Sequence, residues 1–154
     1  GPSDFSVGKT LPYLTAAPFG KIAVFICYES VFPDFLARDM HKKRPDLIVN
    51  LTNDGWFGHT AGPWQHLSQA RMRAIEEGVP VMRAANTGVS AGIDGYGRML
   101  GYIPLGISGY IDIPAPPVLP STFYSRNRYL GISLLIIWLF IGLFCLVRKN
   151  KNGQ

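Results

Sequence analysis

The chain has 154 residues and a formal net charge of +5, and its length suits a single domain at about 150 residues each. Its two cysteines lie in segments of different character, Cys27 in a stretch of mixed composition and Cys145 in an uncharged apolar one. This argues against a structural disulfide, and no metal-ligand spacing is present. The basic excess sits at Lys42, Lys43 and Arg44, at Arg126 and Arg128, and at Arg148, Lys149 and Lys151; without interleaved aromatics it points to anionic lipid head groups and away from nucleic acid.

Residues 1–20, rich in Gly, Pro, Ser and Thr, read as a loop with at most one edge strand. The β-branched and aromatic run 22–26 predicts a buried strand, followed at once by Cys27-Tyr28-Glu29-Ser30. Val31, Phe32, Phe35 and Leu36 have helical spacing, so 30–40 is expected to be a helix, with Pro33 in its first turn and Pro45 ending any continuation. Residues 47–52 form a second buried strand that ends in the turn-rich, doubly aromatic loop Asn53-Asp54-Gly55-Trp56-Phe57-Gly58. A helix is predicted over 63–78, with Leu67, Ala70, Ala74 and Ile75 on one face and Arg71, Arg73, Glu76 and Glu77 elsewhere. Gly78 serves as its C-cap, and Pro80 follows. Residues 79–85 make a third strand, 90–94 and 99–103 a β-hairpin, and 108–113 a last strand. A Pro-rich linker starts at Ala115.

This order predicts an α/β fold with layered sheets. No upstream partner for the first strand is visible. A long exposed edge is hard to keep soluble, so the chain is expected to be the C-terminal part of something larger. His41, His59 and His66 are scattered and read as surface or hydrogen-bonding side chains.

Residues 130–147 hold no charge and one hydroxyl. At about 1.5 Å per residue they just cover a hydrocarbon core of about 30 Å, so a transmembrane helix is expected, a buried core helix being the alternative. Arg148, Lys149 and Lys151 after the run outnumber Arg126 and Arg128 before it by one charge, which favours a cytoplasmic C-terminus.

Cys27 has two readings. A thiol at a strand end can project into a cleft beside loop N–H groups, as a nucleophile and its oxyanion require. A free cysteine is also among the most buried of residues, serving only as a small apolar side chain.

Taken together, Ile26-Cys27-Tyr28-Glu29, Asn53-Asp54-Gly55-Trp56-Phe57-Gly58, Gly62-Pro63-Trp64-Gln65-His66, Ala70-Arg71-Met72-Arg73-Ala74 and Arg83-Ala84-Ala85-Asn86-Thr87-Gly88 resemble the apolipoprotein N-acyltransferases. These are bacterial membrane enzymes of the nitrilase (carbon–nitrogen hydrolase) superfamily. The resemblance implies the C-terminal part of a nitrilase-like α-β-β-α sandwich over residues 1–118, a linker at 119–129, one transmembrane helix at 130–147 and a cytoplasmic tail at 148–154. It implies transfer of an acyl chain from a phospholipid donor to the N-terminal amine of a diacylated apolipoprotein through a thioester. Cys27 matches the nucleophile, and Tyr28, Glu29, Trp56 and Phe57 match positions that shape the pocket. The implied location is the bacterial cytoplasmic (inner) membrane, with the catalytic domain on its outer side, and neither a cofactor nor a metal is implied.

The superfamily's general base Glu and its oxyanion-stabilising Lys lie upstream of the cysteine, and neither Lys9 nor Lys21 stands in the lysine motif. The chain taken alone is therefore expected to be inactive, with the missing N-terminal part of the enzyme as its partner. Two other readings stay open: a membrane-tethered amidase or nitrilase-type hydrolase that shares Cys27, and a truncated domain without catalysis. For Glu29 the alternative role is an ion pair with a neighbouring arginine, and for Trp56 and Phe57 it is ordinary core packing.

Overall fold

In this computed structural model residues 13–33 and 44–152 are described, with 145–147 and 149–152 by backbone alone. They divide into two compact units that meet between Thr122 and Phe123.

The first unit is built on a six-stranded sheet in the order β1-β2-β3-β4-β5-β6. The strands are β1 (Tyr13–Ala16), β2 (Gly20–Ile26), β3 (Leu47–Asn53), β4 (Val81–Asn86), β5 (Ser90–Ile93) and β6 (Met99–Ile103). β2, β3 and β4 run parallel, and the flanking pairs are antiparallel. The parallel strands carry the near-continuous apolar runs that such strands need. Helix α1 (Gly62–Glu77) connects β3 to β4 and supplies the crossover.

Register sorts the strands into two faces. Ala23 pairs with Ile48 and Ile48 with Val81; one pleat further on, Phe25 pairs with Asn50 and Asn50 with Arg83. All six are buried, and Ala23, Phe25, Ile48 and Val81 join Leu67, Ala70 and Ala74 of α1 in one core. Burying a side chain the size of Ile48 or Phe25 contributes about 1.5–3 kcal/mol, so this face holds the unit together. On the opposite face Ile26 and Leu51 stay 53% and 45% exposed.

The buried positions of α1 are Pro63, His66, Leu67, Ala70, Arg73, Ala74 and Glu77, an apolar stripe with polar residues set into it. Ile75, expected on that face, is exposed, whereas Arg73 and Glu77, expected elsewhere, are buried. Gly78 ends the helix at φ +64°, the left-handed conformation a glycine adopts freely. The Arg44 guanidinium reaches the same helix end, donating to the carbonyls of Glu77, Gly78 and Leu119. A cation there satisfies carbonyls the helix leaves open. Burial pulls the Arg44 guanidinium below the usual arginine range, and Glu77 and Asp46 oppose that shift.

Three expectations need correction. The first predicted strand does have an upstream partner: Tyr13–Ala16 pairs antiparallel with it. Residues 108–113 are not a strand; Ile111 and Ile113 instead lie against Gly101 and Gly92, where a Cβ on either glycine would fall within 2.6 Å or less of an isoleucine methyl. The alternating apolar residues are spent on packing over the sheet, not on a ladder. The helix expected over 30–40 is replaced through Val31 by a 3₁₀ turn, and its remainder from residue 34 lies outside the described residues.

The β5–β6 turn is organised by Asp94. Its Oδ1 accepts from the N–H groups of Tyr96 (3.0 Å) and Arg98 (2.9 Å), and its Oδ2 pairs with Arg98 Nε at 2.7 Å. Burial alone would raise this carboxyl, but these bonds and the arginine charge outweigh it and hold Asp94 below the usual carboxylate range. A carboxyl depressed on folding adds stability above its unfolded value of about 3.9, and that stability is lost as pH falls through the lower folded value. Asp94→Asn should therefore lower the thermal midpoint at neutral pH, with the gap closing as pH falls below about 4. Melting curves of both proteins between neutral and acid pH check this; a gap that stays constant contradicts it.

The second unit holds the helical turn α2 (Phe123–Arg126) and the helix α3 (Leu130–Asn152), which is 23 residues long. Every described side chain of α3 is exposed, Trp138 at 69%. Among the described residues, no helix is long and apolar enough to cross a membrane.

Candidate active site

The carboxyl ends of β2, β3 and β4 converge on one group of polar residues. In open α/β sheets this is where ligands bind, because loops can diverge there while the strands stay fixed. Cys27 follows the last residue of β2 and opens the 3₁₀ turn Cys27–Val31. Its backbone has φ +51°, a conformation uncommon for any residue bearing a Cβ. Such a residue persists only where its surroundings over-determine it. The thiol is half-buried.

The surroundings are specific. Ile26 N–H donates to Glu29 Oε2 at 2.7 Å, so the Glu29 carboxylate caps the turn that begins at Cys27. The Cys27 carbonyl accepts from Ser30 Oγ and from Asn50 Nδ2, each at 3.4 Å, and Asn50 also donates to Phe25 O at 3.3 Å. Arg83 Nη1 in turn donates to Asn50 Oδ1. The row Phe25–Asn50–Arg83 thus runs from the cysteine-bearing strand across two neighbours, and each strand adds one member because the register aligns them.

A second arm passes through the loop after β3. Arg83 Nη2 meets Asp54 Oδ2 at 2.6 Å, both side chains being fully buried. Asp54 Oδ1 lies 2.9 Å from His66 Nδ1 and 3.2 Å from the Thr52 hydroxyl. His66 Nε2 is 3.4 Å from Ser30 Oγ, which closes a ring of polar contacts back to the cysteine turn. Burial pulls the Arg83 guanidinium below the usual arginine range; the Asp54 carboxylate opposes this most, and the Cys27 side chain opposes it as well. Gly88 lets the β4–β5 loop approach, since a Cβ there would sit 2.2 Å from Asp54 Oδ2.

Beside this network lies a cavity of about 150 Å³ whose lining includes Tyr28, Val31, Phe57, Gln65, His66 and Gln69. The Tyr28 and Phe57 rings flank the imidazole, with centroids 5.5 Å and 5.9 Å away. Of the residues expected at the pocket, Tyr28 and Phe57 line this cavity and Cys27 and Glu29 stand in the adjoining turn. Trp56 is 88% exposed and is not among the cavity's lining residues. Among the described residues no group of three or more metal-ligating side chains occurs.

The sequence reading did not single out Ser30, Asn50, Asp54 or Arg83, and it took His66 only as a hydrogen-bonding residue. The available signal was polar residues within apolar strands: Asn50 in Leu-Ile-Val-Asn-Leu and Arg83 in Val-Met-Arg-Ala. A buried polar group needs a partner.

The sequence profile of the carbon-nitrogen hydrolase family matches residues 3–113. The chain belongs to the carbon–nitrogen hydrolase family. Within it, the chain is similar to apolipoprotein N-acyltransferases. It is 48% identical over 129 residues to that of Rhodopseudomonas palustris, covering 84% of this chain and 23% of the relative. It is 54% identical over 111 residues to that of Bradyrhizobium diazoefficiens, covering 72% and 20%. With that of Rhizobium meliloti it shares 40% over 146 residues, covering 95% and 26%. The chain therefore spans about a quarter of the length of these curated relatives. Two solved structures share the family's fold. A carbon–nitrogen hydrolase from Helicobacter pylori has TM-score 0.56 at 15% identity, over 65% of this chain and 41% of that one. An amidase from Nesterenkonia sp. has TM-score 0.53 at 20% identity, over 86% and 51%.

Proposed function

We propose that this chain is the C-terminal, nucleophile-bearing part of an apolipoprotein N-acyltransferase. The carrying observation is Cys27 itself: a half-buried thiol at φ +51°, at the carboxyl end of a parallel strand, in a turn secured on every side by hydrogen bonds. The likeness to curated acyltransferases narrows the chemistry from carbon–nitrogen hydrolysis in general to acyl transfer.

The Cys27 thiolate attacks the ester carbonyl of a phospholipid. A C–S bond forms, the ester C–O bond breaks, and the lysophospholipid oxygen leaves with a proton. The N-terminal amine of a diacylated lipoprotein then attacks the thioester; the C–N bond forms, the C–S bond breaks, and the amine proton is given up as the thiolate is restored. A thiolate suits both halves, because it attacks esters well and leaves readily. The Glu base and the Lys that stabilises the oxyanion come from sequence upstream of this domain. Upstream sequence also covers the exposed apolar face at Ile26 and Leu51 as the second sheet of an α-β-β-α sandwich. Tyr28 and Phe57 bound the pocket on this chain's side, Glu29 sets the turn, and Trp56 offers an aromatic surface to the lipid.

Residues 1–118 then form the hydrolase-like portion, 119–129 the linker, 130–147 a single membrane span, and 148–154 a cytoplasmic tail. The reading of a span rests on the sequence, whose residues 130–147 form an uncharged apolar run. The catalytic domain stands on the outer side of the inner membrane, where exported lipoproteins arrive.

The test is the acceptor. Full-length protein carrying this sequence, given phospholipid vesicles and a diacylated peptide with a free N-terminal cysteine amine, should yield the N-acyl peptide well in excess of free fatty acid. Release of fatty acid to water regardless of the amine would identify a hydrolase instead.

A further inference from the structure

Ser30, His66 and Asp54 lie in the order of a hydrolytic triad, Oγ to Nε2 at 3.4 Å and Nδ1 to Oδ1 at 2.9 Å. Ser30 is not an acyl acceptor, because its exposure is 0%. Its hydroxyl has one proton, which goes to the Cys27 carbonyl 3.4 Å away, so His66 Nε2, also at 3.4 Å, stands to Ser30 Oγ as an N–H donor.

Around the imidazole the donors and acceptors are fixed. Arg83 Nη2, 3.2 Å from Nδ1, can only donate, and the Asp54 carboxylate at 2.9 Å can only accept. The Asp54 bond is the shorter one, so it orients the ring with Nε2 towards Ser30. Arg83 anchors Asp54 and, through Asn50, also supplies the second side-chain donor to the Cys27 carbonyl. β2 ends at Ile26, so these two side chains hold a carbonyl just beyond the strand's own residues.

We propose that the contact of His66 with Ser30, the imidazole being oriented by Asp54, is a buried positioning relay: it turns the Ser30 hydroxyl onto the Cys27 carbonyl, fixes the left-handed turn at Cys27 and so aims its thiol. Ser30 and Asp54 are buried and do not line the cavity, His66 borders it, and the relay acts through the nucleophile's backbone. The inference rests on Cys27 being the nucleophile. A misplacement of about 1 Å can cost about a hundredfold in rate, so a loosened turn should appear in the chemical step and not in lipid binding.

The imidazole offers a discriminating pair of variants. In His66→Asn the amide nitrogen falls where Nδ1 was, keeping Asp54 and losing Ser30. In His66→Gln the amide falls near Nε2, keeping Ser30 and losing Asp54. Acylation of full-length protein is followed in a single turnover as hydroxylamine-labile adduct, from vesicles of phosphatidylethanolamine and phosphatidylglycerol with fluorescent acyl chains. Thermal midpoints are recorded alongside. Ser30→Ala and His66→Asn should each slow acylation about tenfold with the lipid concentration dependence unchanged, and His66→Gln should stay within about threefold of wild type. Acylation at the wild-type rate in Ser30→Ala overturns the relay, as does His66→Asn matching or exceeding His66→Gln. So do rates that simply follow the order of the thermal midpoints. An adduct that persists in Cys27→Ala instead overturns the nucleophile assignment, and the relay falls with it.

Discussion

Replacing Arg83 by methionine is expected to destabilise the first unit by about 3–5 kcal/mol, because it leaves a buried carboxylate without its counter-charge. Asp54 and Arg83 are both fully buried and 2.6 Å apart. The same guanidinium serves Asn50 Oδ1 and the Val89 carbonyl, so its loss also orphans neutral acceptors. Arg98–Asp94 is a useful contrast, since the arginine there is 70% exposed and exposed pairs are typically worth about 1 kcal/mol or less. Adding Asp54→Asn to Arg83→Met should recover part of the loss, since no buried charge is then left unpaired. Contacting pairs couple by about 0.5–3 kcal/mol. Chemical denaturation followed by the fluorescence of Trp56 and Trp64 gives both values. A loss below about 1 kcal/mol in the single variant would show that the site is not held by this ion pair.

The parallel strands were legible because each contains a short continuous run of β-branched and other apolar residues bounded by turn residues. Residues 22–26 and 47–52 announce themselves in this way. The helix was legible from its stripe and from Gly78. Register was not legible. Nothing in the one-dimensional order says that Asn50 pairs with Phe25 on one side and Arg83 on the other, so the polar row beneath the cysteine stayed hidden although each member was visible as an anomaly. His66 was equally opaque, because its partner Asp54 lies twelve positions away on a loop whose path depends on Gly88 having no side chain. Residues 108–113 misled for a related reason: alternation marks a segment that packs on a sheet as well as one that joins it. Cys27 was placed correctly at a strand end, but its positive φ follows from the turn that Glu29 caps and is invisible in composition.

Replacing Cys27 by alanine in the full-length protein is expected to reduce acyl transfer by at least about 10⁴-fold, the scale seen when a covalent nucleophile is removed. Cys27→Ser should do little better, since a hydroxyl is a far weaker nucleophile than a thiolate and an oxygen ester releases its acyl group less readily. Both variants keep the hydrogen bonds at the Cys27 backbone, so their thermal midpoints should stay near that of the wild type, separating loss of chemistry from loss of fold. The most direct measurement is mass spectrometry of the peptide containing Cys27, after full-length protein has been incubated with phospholipid and no amine acceptor. The account predicts one fatty acyl mass on Cys27, removed by neutral hydroxylamine and absent from Cys27→Ala. An unmodified Cys27 peptide in protein that still transfers acyl chains, or an acyl adduct that survives in Cys27→Ala, would contradict it.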